Sequence, residues 1–301
     1  MTSSLEGKIA LITGATSGIG KATAAGLANL GATVVLVARN QEKGLAVRDE
    51  IRAQSGNPRV ELLFADLSLQ QATRELAAEF QRRYPRLDVL MNNAGGIFFR
   101  RETTVDGLEL TFALDHLAYF LLTDLLLDTL RASAPARIIN VSSNAEASGR
   151  IDFDDLQAER RYVAFPVYAQ AKLANMLFTY ELARRLEGTG VTVNAVRPGP
   201  VATNFGGSGR SLLNRVFPLI FRVIGKPPEE AAKTAIRLAS DPALASVTGK
   251  AFYDEREVAT SPKAQDVAVQ QRLWQVSAEL VRLPAASARA TAVQPAPDGR
   301  V

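Results

Sequence analysis

Residues 8–31 constrain the fold more than any other stretch of the chain. Lys8-Ile-Ala-Leu-Ile-Thr13 is apolar without polar alternation, as a strand covered on both faces requires. It runs into Gly14-Ala-Thr-Ser-Gly18-Ile-Gly20, after which Ile19, Ala22, Gly26 and Leu30 recur at helical spacing up to Gly31, a C-cap residue. Glycines in such a turn let the backbone bend tightly and approach a pyrophosphate, whose charge is met by the helix N-terminus. Gly14, Ser17, Gly18, Ile19 and Gly20 are therefore candidate dinucleotide contacts. The spacing is G-x-x-x-G-x-G rather than the commoner G-x-G-x-x-G. An ordinary strand–helix turn would use the same glycines, but the strand before and the helix after favour the phosphate reading.

The second strand, Thr33-Val-Val-Leu-Val-Ala38, ends in Arg39-Asn40. An acid at this strand end would bond the ribose diol of NAD, whereas a guanidinium suits the 2′-phosphate of NADP. Arg39 and Asn40 thus point to NADP(H) over NAD(H). Further buried strands are expected at 60–66, 87–92, 137–142 and 191–196, with a short one at 249–253. Helical patterns, for example 71–83 and 117–130, fill most of the gaps between them. Seven strands alternating with helices predict an α/β fold: a doubly wound, Rossmann-type, mostly parallel sheet with helices on both faces. Ligands on such sheets bind beyond the carboxyl ends of the strands. Asp66, Asn92, Ser142-Ser143 and Pro198-Gly199 all fall there.

Tyr168-Ala-Gln-Ala-Lys172 opens a long helical pattern, which places Tyr168 and Lys172 one turn apart on one face. A free phenol titrates near 10, and a nearby ammonium favours its ionised form. Lowering that value by about three units takes roughly 4 kcal/mol, within reach of one well-placed cation in a partly dry site. The pair alone says little, because most such pairs are a buried ring beside a solvated lysine. Composition removes rival chemistries. The chain has no cysteine, which excludes thiolate catalysis and disulfides, and a single histidine argues against catalytic zinc. Interspersed charges with a net +4 give no nucleic-acid footprint.

Taken together, Thr13-Gly-Ala-Thr-Ser-Gly-Ile-Gly20, Asp66-Leu67, Asn92-Asn-Ala-Gly95, Val141-Ser-Ser143, Tyr168-x-x-x-Lys172 and Pro198-Gly199 with Thr203 resemble the short-chain dehydrogenase/reductase family over residues 7–283. Asp106-Gly107-Leu, Phe120-Leu-Leu-Thr, Ile151-Asp-Phe-Asp-Asp-Leu156 and Thr248-Gly-Lys look like its retinol-dehydrogenase-like and WW-domain-oxidoreductase-like branch, which mostly uses NADP. The resemblance implies that Tyr168 is the general acid/base, and that Lys172 lowers its pKa and bonds the nicotinamide ribose. Ser143 would hold the substrate oxygen, with Ser142 the adjacent alternative. It places Asp66 and Leu67 at the adenine, Asn92, Ala94 and Gly95 on the adenosine side, and Val201 and Thr203 at the nicotinamide amide. At one position the chain departs: Asp115 stands where the family carries an Asn that completes a catalytic tetrad and holds a relay water. Asp offers no side-chain N–H and can carry charge, so a carboxylate there would compete with Tyr168 for Lys172. Reduced or pH-shifted activity is the expectation. His116 beside it is expected to pack rather than catalyse, and Trp274 to pack the last helix.

The expected function is an NADP-dependent oxidoreductase of a lipophilic carbonyl or alcohol, retinoid-like or another apolar aldehyde or ketone. The alternatives are a reductase of polar ketones and a non-catalytic NADP-binding regulator silenced by Asp115. One domain is expected to span 1–283, with a substrate lid at about 204–228 and a disordered Ala- and Pro-rich tail at 284–301. Residues 212–226 mix apolar side chains with Arg215, Arg222 and Lys226, which suits peripheral membrane contact. Family members commonly pair through the tyrosine-bearing helix, so a homo-oligomer is a further expectation. Without a signal-like start or a run of about 18 apolar residues, the chain is expected to be cytoplasmic.

Overall fold

The computed structural model describes residues 4–201 and 225–283. Their elements are β1 (Ile9–Thr13), α1 (Gly18–Asn29), β2 (Thr33–Ala38), α2 (Gln41–Ser55), β3 (Val60–Phe64), α3 (Gln70–Arg83), β4 (Val89–Asn92) and α4 (Leu110–Ala132). There follow β5 (Ala136–Val141), α5 (Ala164–Arg185), β6 (Val191–Val196), α6 (Pro228–Ser240), β7 (Lys250–Tyr253), β8 (Arg256–Val258) and α7 (Val267–Leu280). The strands form one sheet in the order β3-β2-β1-β4-β5-β6-β7-β8, parallel except for β7 with β8. The Val-, Ile- and Leu-rich strands are buried on both faces, as parallel strands must be. Chain order reverses between β1 and β4, which opens a crevice at their carboxyl ends.

Two cores flank the sheet. On one face α3, α4, α5 and α7 pack through Phe80, Phe112, Phe120, Leu177 and Trp274. On the other, Leu27, Ile51 and Leu238 of α1, α2 and α6 cover the opposite side of the same strands. Gly26 lets α1 meet α6 closely, because a Cβ there would stand 2.3 Å from Ile236 Cδ1. Trp274 packs the last helix as expected: its ring lies 4.8 Å from Phe120 and 5.8 Å from Phe178. By length and composition α4 could cross a membrane, but 78% of its apolar window is buried in the protein interior.

The sheet has eight strands rather than the expected seven. The added β8 is three residues long and mostly exposed, so it carries no buried apolar signal. Its hairpin turns through Asp254 and Glu255, both at positive φ without a glycine to announce them. Thr203, most of the expected lid and the 284–301 tail lie outside the described residues.

Candidate active site

A cleft of about 890 Å³ opens at the carboxyl ends of the strands, beside the β1–β4 crevice. One wall is the glycine turn. Gly14 takes φ +63°, and a Cβ on it would stand 2.8 Å from Ala94 Cα, so only glycine fits. Asn93 ties this turn to the end of β4, its amide donating to the carbonyls of Thr13 (2.8 Å) and Gly14 (3.2 Å). Ser17 precedes α1 without capping it by its side chain, and the first turn of α1 holds no acid. The N-terminal amides of α1 are thus left to an anion. Of the predicted turn residues, Gly14, Ser17 and Ile19 line the cleft. Gly18 and Gly20 do not: Gly18 supplies a positive φ of 54°, and Gly20 makes room for Gly14 O and Asn93 Nδ2, each 2.5 Å from a Cβ placed there.

At the end of β2, Arg39 and Asn40 reach the rim together with Lys43. Asn40 caps α2 by accepting the Lys43 N–H at 2.8 Å. Asp66 also lines the cleft, one oxygen taken by Ser68 and the other 3.8 Å from Arg39 Nη1. Leu67, Ala94, Gly95 and Val201 lie on the same surface. Among the described lining residues there are three cations, Arg39, Lys43 and Lys172, against one carboxylate, Asp66. Asn92 requires a correction. It is fully buried and donates to Thr123 Oγ1 (3.0 Å) and Asn140 Oδ1 (2.9 Å), away from the cleft. Asn93, one residue on, is the one that reaches it.

At the inner end α5 presents Tyr168 and Lys172. Ser143 follows β5, and its hydroxyl is hydrogen-bonded to Tyr168. Ser142 is buried and donates to the Lys172 carbonyl at 2.8 Å, which leaves Ser143 as the serine at Tyr168. Asp115 sits in a π turn (Ala113–Leu117) of α4, where the Ala118 N–H bonds Ala113 O. Its Oδ2 lies 2.9 Å from Lys172 Nζ, and its Oδ1 accepts the Gly96 N–H at 2.8 Å. Its backbone carbonyl is taken by Asn175 Nδ2 at 2.8 Å. Burial disfavours charge on Lys172, but Asp115, with Tyr119 and Tyr168, holds its pKa above the ordinary lysine value. Tyr168 does not follow the simple expectation of a lowered phenol. Burial raises it and Lys172 pulls it down, Asp115 pushes it back up and the Ser143 hydrogen bond lowers it; the balance is upward. Ile97, Phe98, Leu114 and Phe165 add an apolar wall. Sequence reasoning missed Asn93, Lys43 and Tyr119; only the short Asn40–Lys43 spacing offered a signal.

His116 packs, as expected, with Nε2 2.9 Å from Ser277 Oγ and Nδ1 3.3 Å from Asn175 Oδ1. Burial, and then the charge of Lys172, push its pKa down to about 4 against the pull of Asn175. An unfolded histidine binds its proton near pH 6.5, so stability falls as pH drops from there toward 4. About 3 kcal/mol should be lost across that window. Urea unfolding at pH 7.5 and pH 4.5 should show a loss smaller by roughly that amount in His116→Asn. An equal loss in both proteins would contradict the account.

A doubly wound sheet with a basic cleft and a Tyr–Ser hydroxyl pair defines an oxidoreductase of alcohols and carbonyls. The chain belongs to the short-chain dehydrogenase family, whose model matches residues 8–211. Human retinol dehydrogenase 13 is 44% identical over 290 residues, covering 95% of this chain and 88% of that protein. Human retinol dehydrogenase 14 is 45% identical over 294 residues, covering 93% and 88%. An uncharacterized protein from Mycobacterium paratuberculosis superposes with a TM-score of 0.75 at 31% identity, covering 93% of this chain and 96% of the other. The Pseudomonas aeruginosa RhlG/NADP active-site complex gives 0.65 at 31%, covering 83% and 95%.

Proposed function

We propose that the protein is an NADP-dependent oxidoreductase that interconverts a lipophilic alcohol and its carbonyl. The observation that carries this reading is the Ser143–Tyr168 hydroxyl pair at the inner end of a cleft whose outer rim holds Arg39 and Lys43. Gly14, Ser17 and Ile19 hold the pyrophosphate against the α1 N-terminus. Arg39 and Lys43, both lining the cleft, would meet the 2′-phosphate. Asp66, Leu67 and the Asn93–Gly95 loop would flank the adenosine, Lys172 would bond the nicotinamide ribose, and Val201 would meet the nicotinamide amide. When bound, the nicotinamide supplies or accepts the hydride.

The chain's own residues manage the oxygen and its proton. Ser143 holds the substrate oxygen as charge develops on it, and Tyr168 gives or takes the proton. Ile97, Phe98, Leu114 and the half-exposed Phe165 suit an apolar substrate body, and the similarity to retinol dehydrogenases supports the same class. A polar-ketone reductase would need polar partners on that wall.

Removing Arg39 tests the cofactor assignment. A hydrogen bond to a charged group contributes about 1.5–3 kcal/mol, so Arg39→Ala should weaken NADPH binding by roughly 10–100-fold. NADH binding should hardly change. Calorimetric titration of both nucleotides decides it: equal effects on the two, or none on NADPH, would contradict the assignment.

A further inference from the structure

The function proposed above assigns no task to Asp115, yet the fold is built closely around its carboxylate. Asp115 is 0% exposed, a placement that is costly for a carboxylate unless charge and hydrogen bonds meet it. Two elements meet it here: Lys172 of α5 at 2.9 Å and the Gly96 N–H of the loop after β4 at 2.8 Å, while Asn175, also of α5, holds the backbone carbonyl at 2.8 Å. Gly95 makes the room, since a Cβ there would stand 2.9 Å from Oδ2. The π turn puts an extra residue into α4 at this point and re-aims the side chain.

Lys172 Nζ therefore has a carboxylate at 2.9 Å, whereas the Tyr168 and Tyr119 ring centres are 5.3 Å and 5.8 Å away. The carboxylate opposes the pull of Lys172 on the Tyr168 phenol and cancels part of it. We propose that Asp115 is a positioning residue that opposes the charge of Lys172 at Tyr168, so that the phenol is a weaker acid than Lys172 alone would make it and the site favours donating a proton to a carbonyl oxygen over taking one from an alcohol. This rests on the acid/base assignment of Tyr168. In that direction the phenol O–H bond breaks and its proton goes to the substrate oxygen, as the carbonyl carbon takes up hydride from the reduced nicotinamide. The phenolate left behind regains its proton from solvent. Alcohol oxidation is the reverse and starts from the phenolate.

The titratable groups that face this cluster are Tyr168 and Lys172 from α5, Asp115, His116 and Tyr119 from α4, Glu109 at the start of α4, and Tyr162 before α5. Burial holds Glu109, Tyr119 and Tyr162 above their ordinary values and His116 below its own, and the charges that act on Tyr168 are those of Lys172 and Asp115.

The test is the ionisation of Tyr168 itself in the nucleotide-free, full-length protein. It is followed by NMR of ring-labelled tyrosine, with Tyr168→Phe to assign the signal. The wild-type phenol should ionise above the ordinary value of about 10. Asp115→Asn should bring it down by about one unit or more, with the pH profile of alcohol oxidation moving the same way. That corresponds to about tenfold more phenolate at pH 7. A wild-type Tyr168 that ionises below the ordinary value, or an Asp115→Asn that leaves it in place, would overturn the proposal. If Asp115→Asn does not fold, Asp115→Ser is read in the same way: a fall in the Tyr168 value supports the proposal and an unmoved value overturns it. If no carbonyl is turned over, the functional reading fails while the titration still decides the role of Asp115.

Discussion

Tyr168→Phe should lower carbonyl turnover by about 10²–10⁴-fold, the range that a positioned general acid contributes. The substitution removes one hydroxyl and keeps the ring. That ring stays 5.3 Å from Lys172 Nζ and 6.5 Å from Phe165, so packing and nucleotide affinity should be preserved. The hydroxyl is the atom that answers to both Lys172 and Ser143, and no other hydroxyl among the described residues combines a place in the cleft with those two partners. Steady-state turnover with NADPH, beside calorimetric nucleotide binding, separates the two effects. A loss under tenfold with binding intact would remove Tyr168 from the proton transfer.

Lys172→Met should destabilise the fold by about 3–5 kcal/mol at pH 7, because it strands the Asp115 carboxylate in the interior. Of its side-chain partners only the Gly96 N–H would remain. Burial already pushes the Asp115 carboxyl up, with Lys172 as the main counterweight. Without Lys172 the folded variant should take up a proton that the unfolded chain releases near pH 4. The sign follows: the deficit is largest at neutral pH and shrinks as pH falls toward 5. Combining Lys172→Met with Asp115→Asn removes both charges and should recover most of the loss, which makes the pair non-additive. Urea unfolding of the two single variants and the double variant at pH 7 and pH 5 checks this. Additive losses with no pH dependence would mean that the ion pair contributes no coupling.

The organisation of the fold was legible because burial on both faces leaves a strong mark: unbroken apolar strands, alternating with helical patterns, can be assembled in few other ways. The glycine turn was legible for a similar reason, since Gly14 sits where a Cβ has no room. β8 was not, because an exposed edge strand needs no apolar alternation. Asn92 and Asn93 could not be told apart because successive side chains at a strand end point to opposite faces, and only packing shows which face is covered. Asp115 was visible as a departure from its family. What could not be read is that a π turn and a Cβ-free loop aim its carboxylate at Lys172, since the contact joins residues 57 positions apart in sequence on two helices. The expectation of a depressed Tyr168 pKa followed from Lys172; the opposing carboxylate at Asp115 was visible in the sequence, but the larger effect of burial was not.

One measurement bears on all of this: consumption of NADPH and of NADH by the purified protein against aldehydes from short and polar to long and retinal-like. Turnover with NADPH in preference to NADH, rising with the apolarity of the aldehyde, is the expected result. NADPH bound in the cleft but consumed with none of these carbonyls, or a preference for NADH and short polar substrates, would contradict it.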